Sequence, residues 1–421
     1  MKPRIALALS GGGFRASIFH LGLLRRLAEF GWLPEVDVIS TVSGGSIVGA
    51  FAVQRWNAFL QAGGDARAFE STISVPFLER IQTRNFLIDW LLTSWQWPFR
   101  KLASKAFTRT QAAAELFDEM FFEGQPCDAL PSRPLLIMNA TNLQSMRAWR
   151  FTAAGMGDSR VGHAKWASNS LRLSVCVGAS AAFPPVFPPV RIQRDDFTFA
   201  QPVYGEAPLP AYPLIPLADG GVYDNSGLEA VTKAVTIPGY DELLEPAEFL
   251  IVSDGGAPAN YVFDASGLPA FADAALLYRV DAIARQQVSA LRTRSLMTEF
   301  TRGTMRGILT GLASSVANMP TNMYAKYCET VAHGNHIPNE ILVPLRRIRT
   351  SLDRFSAIEI EALMYHAYSL TDAFAWCYRD RRPSRYRLET FPVPWKINFE
   401  REKMLAWKSE LEEGAKTFCF R

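Results

Sequence analysis

Apolar and polar positions fall into blocks along the chain, and the first blocks set the pattern. Arg4 to Leu9, apolar from Ile5 onward, has strand length and runs into a glycine cluster, the form of a strand buried on both faces. From Ala16 to Phe30 the apolar residues Ile18, Leu21, Leu24 and Leu27 recur at helical spacing; Gly31 ends the helix and Pro34 blocks its resumption. Val36 to Val42 predicts a second strand, and Ser46 to Ala52 a second helix. A strand–helix–strand–helix order predicts a parallel sheet with right-handed crossovers.

The rhythm breaks between about Gln54 and Gly124, where the pattern is mostly helical and rich in aromatics. Within it, Asn85 to Phe99 carries Trp90, Trp95 and Trp97 beside Leu87, Ile88, Leu91 and Leu92, with Arg100 and Lys101 directly after. This is either a helix pair capping the sheet or a lid whose indoles sit at a lipid–water boundary. Pro134 to Leu143 predicts a strand, and Ala148 to Thr152 its return. A helix of small residues leads to the proline-punctuated loop Phe183 to Pro189. A surface hairpin over Arg191 to Ile215, a strand end at Asp219, a helix after it, and a last strand at Glu248 to Ser253 follow. From Phe271 on the pattern is helical, and Ser356 with Glu359 forms a capping box. The charged tail from Arg379 suggests no role. The expected fold is a three-layer α/β/α sandwich with a mainly parallel central sheet. Residues 1–260 would form the core, with a helical insertion at about 55–125, and residues 261–421 a helical C-terminal extension packed on it.

Composition narrows the function. The 421 residues are 48% hydrophobic and 20% charged, with a net charge of +3, which argues against a nucleic-acid partner. The five cysteines are scattered without a C-x-x-C pair, so no metal or redox motif is supported and no cofactor is called for. The N-terminal apolar run is too short for a secretory signal, and no run is long enough to span a membrane. A cytoplasmic protein, with peripheral membrane contact through Trp90 to Phe99, is the expectation.

Three glycine turns each follow a predicted strand: Gly11-Gly12-Gly13-Phe14-Arg15, Ser43-Gly44-Gly45 and Asp219-Gly220-Gly221. The C-terminal ends of parallel strands share one edge, where ligands bind, so a serine, a carboxylate and an amide-rich loop would gather there. A serine needs a base to act as a nucleophile. None of the five histidines (His20, His163, His333, His336, His366) lies in such a turn. The reading is a Ser43–Asp219 dyad, with Asp219 in a site dry enough to raise its pKa. Asp254, which also ends a strand before glycines, is the second candidate. Asp224 and Asn225 read as turn and cap residues. The amides of Gly12 and Gly13, with the Arg15 charge, are placed to hold an oxyanion.

These residues resemble the patatin-like phospholipase family. Gly11 to Arg15 is similar to its oxyanion loop, Val42 to Ser46 to its serine elbow, Ala179 to Pro189 to a recurring segment, and Asp219 to Asn225 to its aspartate turn. The elbow carries Thr41, and the loop ends in Ala16, where the family often has glycine. The resemblance implies a Ser–Asp dyad that hydrolyses acyl esters of phospholipids or neutral lipids without a metal, and it favours Asp219 over Asp254. Two other readings share some of these features. The pattern Gly11-x-Gly13-x-x-Ala16 also fits a dinucleotide-binding turn, but the second strand lacks a terminal acid. A non-catalytic membrane- or partner-binding protein would not need both Ser43 and Asp219.

Overall fold

The computed structural model describes residues 1–104, 107–167, 170–200, 210, 212–256, 273–316, 336–377 and 400–416. Strand β1 (Ile5–Leu9) leads into helix α1 (Gly13–Glu29), and β2 (Val38–Val42) into α2 (Gly44–Gln54). These follow, in chain order, β3 (Leu135–Asn142), β4 (Arg147–Thr152), β5 (Gly155–Asp158), β6 (Gly162–Lys165), β7 (Val190–Gln193), β8 (Leu214–Asp219), β9 (Phe249–Asp254) and β10 (Gly307–Gly311). All ten form one sheet with a main path β10-β9-β1-β2-β3-β4-β5-β6, while β8 pairs with β3 and β7.

The sheet divides into two halves. From β10 to β3 every pairing is parallel. Beyond β3 every pairing is antiparallel. The sheet is therefore mixed, with a parallel half that carries the crossovers and a meander that needs none. Alternation along the strands builds the layers. Ile5, Leu7, Leu9 and Ile39 enter the larger core with α1, α2 and the helical insertion. Ala6, Ala8, Val38, Leu250 and Val252 face the opposite way, toward Leu228, Val231 and the Leu296 and Phe300 end of the long helix Asp273–Arg302. The result is helix, sheet and helix.

The C-terminal helix Ala357–Cys377 shares the larger core and lies across α1. Gly22 lets the two backbones meet, because a Cβ there would collide with the Met364 carbonyl oxygen. A buried ion cluster fixes the same crossing: Arg26 donates to Asp372 at 2.9 and 2.5 Å and also pairs with Glu29. The Ser356–Glu359 capping box forms as the spacing predicts, with Ser356 N–H donating to Glu359 at 2.8 Å and Glu359 N–H to Ser356 Oγ at 3.2 Å.

Three strands escape the sequence pattern. β5 and β6 are rich in glycine and polar residues, which read as turn, yet the glycines allow the tight pairing. A Cβ on Gly155 would strike the Ala164 carbonyl oxygen. β10 is five residues flanked by glycine within a stretch read as helical, and it adds a parallel edge to β9. The hairpin over 191–215 is present in its arms, as β7 pairs antiparallel with β8, although residues 201–209 and 211 lie outside the described residues. The tail from Arg379 lies outside them through residue 399.

The insertion divides its tryptophans. In the helix Phe86–Leu92, Phe86, Leu87 and Trp90 are buried. Trp97 tilts against Trp90, with ring centroids 4.8 Å apart. Trp95, Phe99 and Leu102 face outward at 68%, 69% and 90% exposure. The segment is thus core on one side and bare apolar surface on the other.

Candidate active site

The site forms because two strands end facing each other along one edge of β3. β2 runs parallel to β3 and stops with Val42 opposite Asn139. β8 runs antiparallel to β3, and its last residue, Asp219, sits opposite Ala140. The C-terminal ends of β2 and β8 therefore meet at adjacent registers. Ser43 and Asp219, the next and last residues respectively, are brought together, close enough for the Ser43 hydroxyl to act on the titration of the Asp219 carboxylate. The sequence reading placed Asp219 on the shared edge of a parallel sheet. It reaches that edge from the opposite direction, on an antiparallel strand.

Ser43 occupies φ 50°, ψ −117°, a backbone state that L residues rarely adopt, at the N-terminus of α2. Its N–H is held by Ser180 Oγ at 3.0 Å, and Ser180 in turn donates to the Asn139 carbonyl at 2.6 Å. Ser46 donates to Ser180 at 2.8 Å, and Thr41 Oγ1 lies 2.9 Å from Ser46 Oγ. Thr41, at a position where glycine would be roomier, is accommodated by Gly49 on α2: a Cβ there would lie 2.7 Å from the Thr41 methyl. The hydroxyl relay through Ser180 was not read from the sequence. Its only signal was the small-residue segment 179–189.

Asp219 is 2% exposed. Burial pushes its pKa from 3.8 up to about 6, against the opposing effects of the Gly221 N–H, the Ser43 hydroxyl and the charge of Arg285. Gly221 N–H donates to Oδ1 at 2.6 Å. The main chain of Asp219 is also held, its N–H by the Ala182 carbonyl at 3.0 Å and its carbonyl by Thr141 Oγ1 at 2.8 Å.

The Gly11-Gly12-Gly13 loop lies against this pair. A Cβ on Gly11 would be 3.1 Å from Ser43 Cβ and 2.5 Å from Asn225 Oδ1, and one on Gly44 would collide with the Gly13 carbonyl oxygen. Gly45 N–H donates to the Ser10 carbonyl at 3.1 Å. Gly220 and Gly221 are equally hemmed in, by the Asn139 carbonyl and by Asn225. The three glycine turns thus pack backbone on backbone. Gly12 takes φ 142° and Gly13 φ 58°, which glycine adopts freely. Gly13 and Gly44 open α1 and α2, where first-turn N–H groups have no acceptor within their own helix.

Arg15 is buried, and its guanidinium donates to the carbonyls of Ile348 at 2.7 Å and Gly255 at 3.2 Å. Its two Nη groups brace the loop, while Nε is buried without a hydrogen-bond partner. Asn225 likewise does more than turn the chain: its carbonyl accepts the Gly11 N–H at 2.9 Å. Asp224 is the cap that the sequence suggests, accepting from Ser226 and from Glu229 N–H at 2.8 Å. Asp254 accepts from Gly256 N–H at 2.9 Å and faces the charge of Arg15. His20 is buried beneath the loop, with its pKa pulled down to about 4 by desolvation. Nε2 lies 2.9 Å from the Ser10 carbonyl and must donate to it, so Nδ1 accepts from Ser253 Oγ at 2.7 Å. It ties β1 to β9. Among the described residues no cluster of His, Cys, Asp or Glu is arranged for a metal ion, and no helix is long and apolar enough to cross a membrane.

The family model for patatin-like phospholipase matches residues 7–232, which contain all three glycine turns. No curated protein sequence matches. Among solved structures, human GIVD cytosolic phospholipase A2 aligns with a TM-score of 0.51 and 12% identity, over 91% of this chain and 63% of that one. The chain thus spans less than two thirds of the length of that relative. The same human enzyme in complex with methyl gamma-linolenyl fluorophosphonate aligns with a TM-score of 0.48 and 12% identity, over 91% and 59%.

Proposed function

Because the chain belongs to the patatin-like phospholipase family, one of lipid acyl hydrolases, we propose that it cleaves fatty acyl esters of phospholipids, including lysophospholipids, or other acyl lipids through Ser43 and Asp219. The observation that carries this reading is the meeting of the Ser43 and Asp219 strand ends on β3, which sets the serine beside a buried carboxylate whose pKa stands near the working range of a general base, at about 6. Ser43 Oγ attacks the ester carbonyl carbon and its proton passes to Asp219. The carbonyl oxygen becomes an oxyanion held by the N–H groups of Gly12, Gly13 and Gly44. Collapse breaks the acyl carbon–oxygen bond, and Asp219 returns the proton to the departing alcohol. Water, deprotonated by Asp219, then attacks the Ser43 acyl ester; the acyl–Oγ bond breaks, Asp219 returns the proton to Ser43 Oγ, and the fatty acid leaves.

Two apolar surfaces flank the loop Phe183 to Pro189 and support a lipid surface as the place of work. On one side Trp90 packs on Phe187 at 4.9 Å, and beyond it stand the bare side chains of Trp95, Phe99 and Leu102, with Lys101 between the last two in sequence. On the other side Arg285 stacks over Phe183 at 4.8 Å, and its helix exposes Leu277 and Val280. Such a rim would seat on headgroups and acyl chains. Nucleotide binding finds less support. The second strand ends in Thr41-Val42-Ser43, without the acid that would hold a ribose.

The test is labelling with a fluorophosphonate probe, followed by a lipid panel with product mass analysis. Ser43 is the expected site of labelling. Ser43→Ala and Asp219→Ala are expected to remain folded and to lose ester cleavage. A purified Ser43→Ala protein that cleaves acyl esters at the wild-type rate overturns the mechanism.

A further inference from the structure

The glycine loop is not supported by the sheet alone. Its outer side is covered by residues 348–355, which come from the C-terminal extension. A Cβ on Gly13 would collide with the Thr350 carbonyl oxygen and lie 3.2 Å from that of Ser351. Gly13 is therefore sandwiched between Gly44 on one side and the 350–351 backbone on the other. Arg15, two residues further along α1, donates to the Ile348 carbonyl at 2.7 Å. Two separate contacts thus join this segment to the loop.

The segment is itself locked by one side chain. Arg349 Nε donates to Asp353 at 2.8 and 3.0 Å, Nη1 donates to Glu359 at 2.6 Å, and Nη2 donates to the Arg354 carbonyl. Ser351 Oγ donates to Asp353 as well. Both carboxylate side chains are fully buried. Glu359 also caps the helix Ala357–Cys377 and touches the helix Lys408–Lys416, where a Cβ on Gly414 would collide with it. A planar guanidinium with its donors shared between two carboxylates and a carbonyl holds a turn in one shape. Thr350, by contrast, is exposed.

We propose that residues 348–355 are a working part of the catalytic centre and that Arg349 is a positioning residue for the oxyanion loop. The chain is Arg349 with Asp353 and Glu359, then the 348–351 backbone, then Gly13 and Arg15, then the loop amides beside Ser43. On this view the extension is not a separate module: it completes the site. The proposal rests on the reading of Ser43 as nucleophile and of the loop amides as oxyanion donors.

Two variants test it. Thr350→Gly loosens the segment without touching the buried charges. Arg349→Lys keeps the charge and loses the fork. The measurements are kcat and KM on a soluble short-chain ester, the rate of Ser43 labelling by a fluorophosphonate, and the thermal midpoint. The expected result is a kcat about 10- to 100-fold lower in Arg349→Lys, since a misplacement of about 1 Å can cost about 100-fold. KM should stay within about twofold and labelling should slow in parallel, because the same amides serve both reactions. Thr350→Gly should lose kcat in the same direction with an unchanged midpoint. Wild-type kcat and labelling in both folded variants overturn the proposal, as does a loss confined to KM. If Arg349→Lys fails to fold, Thr350→Gly decides alone. If wild-type Ser43 is not labelled at all, the dyad reading fails first, which is a different result.

Discussion

The proton on Asp219 gives the most direct handle on the site. Burial raises its pKa from 3.8 to about 6. Between those values the folded protein keeps a proton that the unfolded chain has lost. The group's contribution to stability is therefore greatest below the unfolded pKa, falls as pH rises through about 6, and is flat above that. The difference corresponds to about 3 kcal/mol withdrawn from the folded state at pH 8. Asp219→Asn removes the charge that must be desolvated and keeps an oxygen to accept the Gly221 N–H at 2.6 Å. The variant should be inactive yet more stable than wild type at pH 8, by about 3 kcal/mol.

For a chain of this length that amounts to roughly 3 °C in Tm. Thermal unfolding of both proteins from pH 4 to pH 8 measures it, and the two curves should approach each other toward pH 4, which lies just above the unfolded pKa of 3.8 and well below the folded one. The same group should set the acidic limb of kcat/KM on a soluble ester, rising with an apparent pKa of about 6. A stability difference independent of pH, or an Asp219→Asn protein less stable than wild type at pH 8, would refute the account of a desolvated base.

The other expectations concern neighbours of the dyad. Arg285 lowers the Asp219 pKa through its charge, so Arg285→Met should move the acidic limb of kcat/KM to higher pH, read from the same profile. Gly49→Ala should destabilise the protein by about 1–3 kcal/mol through overpacking on the Thr41 methyl. Adding Thr41→Ser, which keeps the hydroxyl and removes the methyl, should recover most of that loss in a denaturant melt. Ser43→Gly should be more stable than Ser43→Ala by about 1 kcal/mol, since only glycine takes φ 50° without strain. Paired Trp95→Ser and Phe99→Ser changes should weaken vesicle sedimentation while leaving turnover of a soluble ester unchanged; equal losses in both would count against a lipid-facing rim.

Much of this arrangement was legible in the sequence, and what was not has physical reasons. Periodicity finds β1, α1, β2, α2 and β3 because their apolar residues run unbroken or recur at helical spacing. It missed β5, β6 and β10, where glycine serves close pairing and so resembles a turn. The glycine turns and Asp219 stand out as motifs. Ser180, Asn225 and the residues 348–351 do not, because their work is done by a hydroxyl relay and by main-chain carbonyls, which leave no residue signature. Gly22, Gly49 and Gly414 likewise gain meaning only from the partner that presses on them.

The direction in which Asp219 arrives has a chemical consequence. Asp254 ends β9 on the parallel edge, is only partly buried, and faces the cationic Arg15. Its carboxylate is engaged by the Gly256 N–H at 2.9 Å. Asp219 ends a strand that runs head-on into the serine strand. Its N–H and carbonyl are both taken by neighbours, and the elbow itself closes over its side chain. A carboxylate in that position is stripped of water, with the Gly221 N–H and the neighbouring Ser43 hydroxyl as its polar company. The antiparallel entry of β8 into an otherwise parallel edge therefore does two things together: it aims the carboxylate at the serine, and it removes the water that would keep the carboxylate too acidic to act as a base.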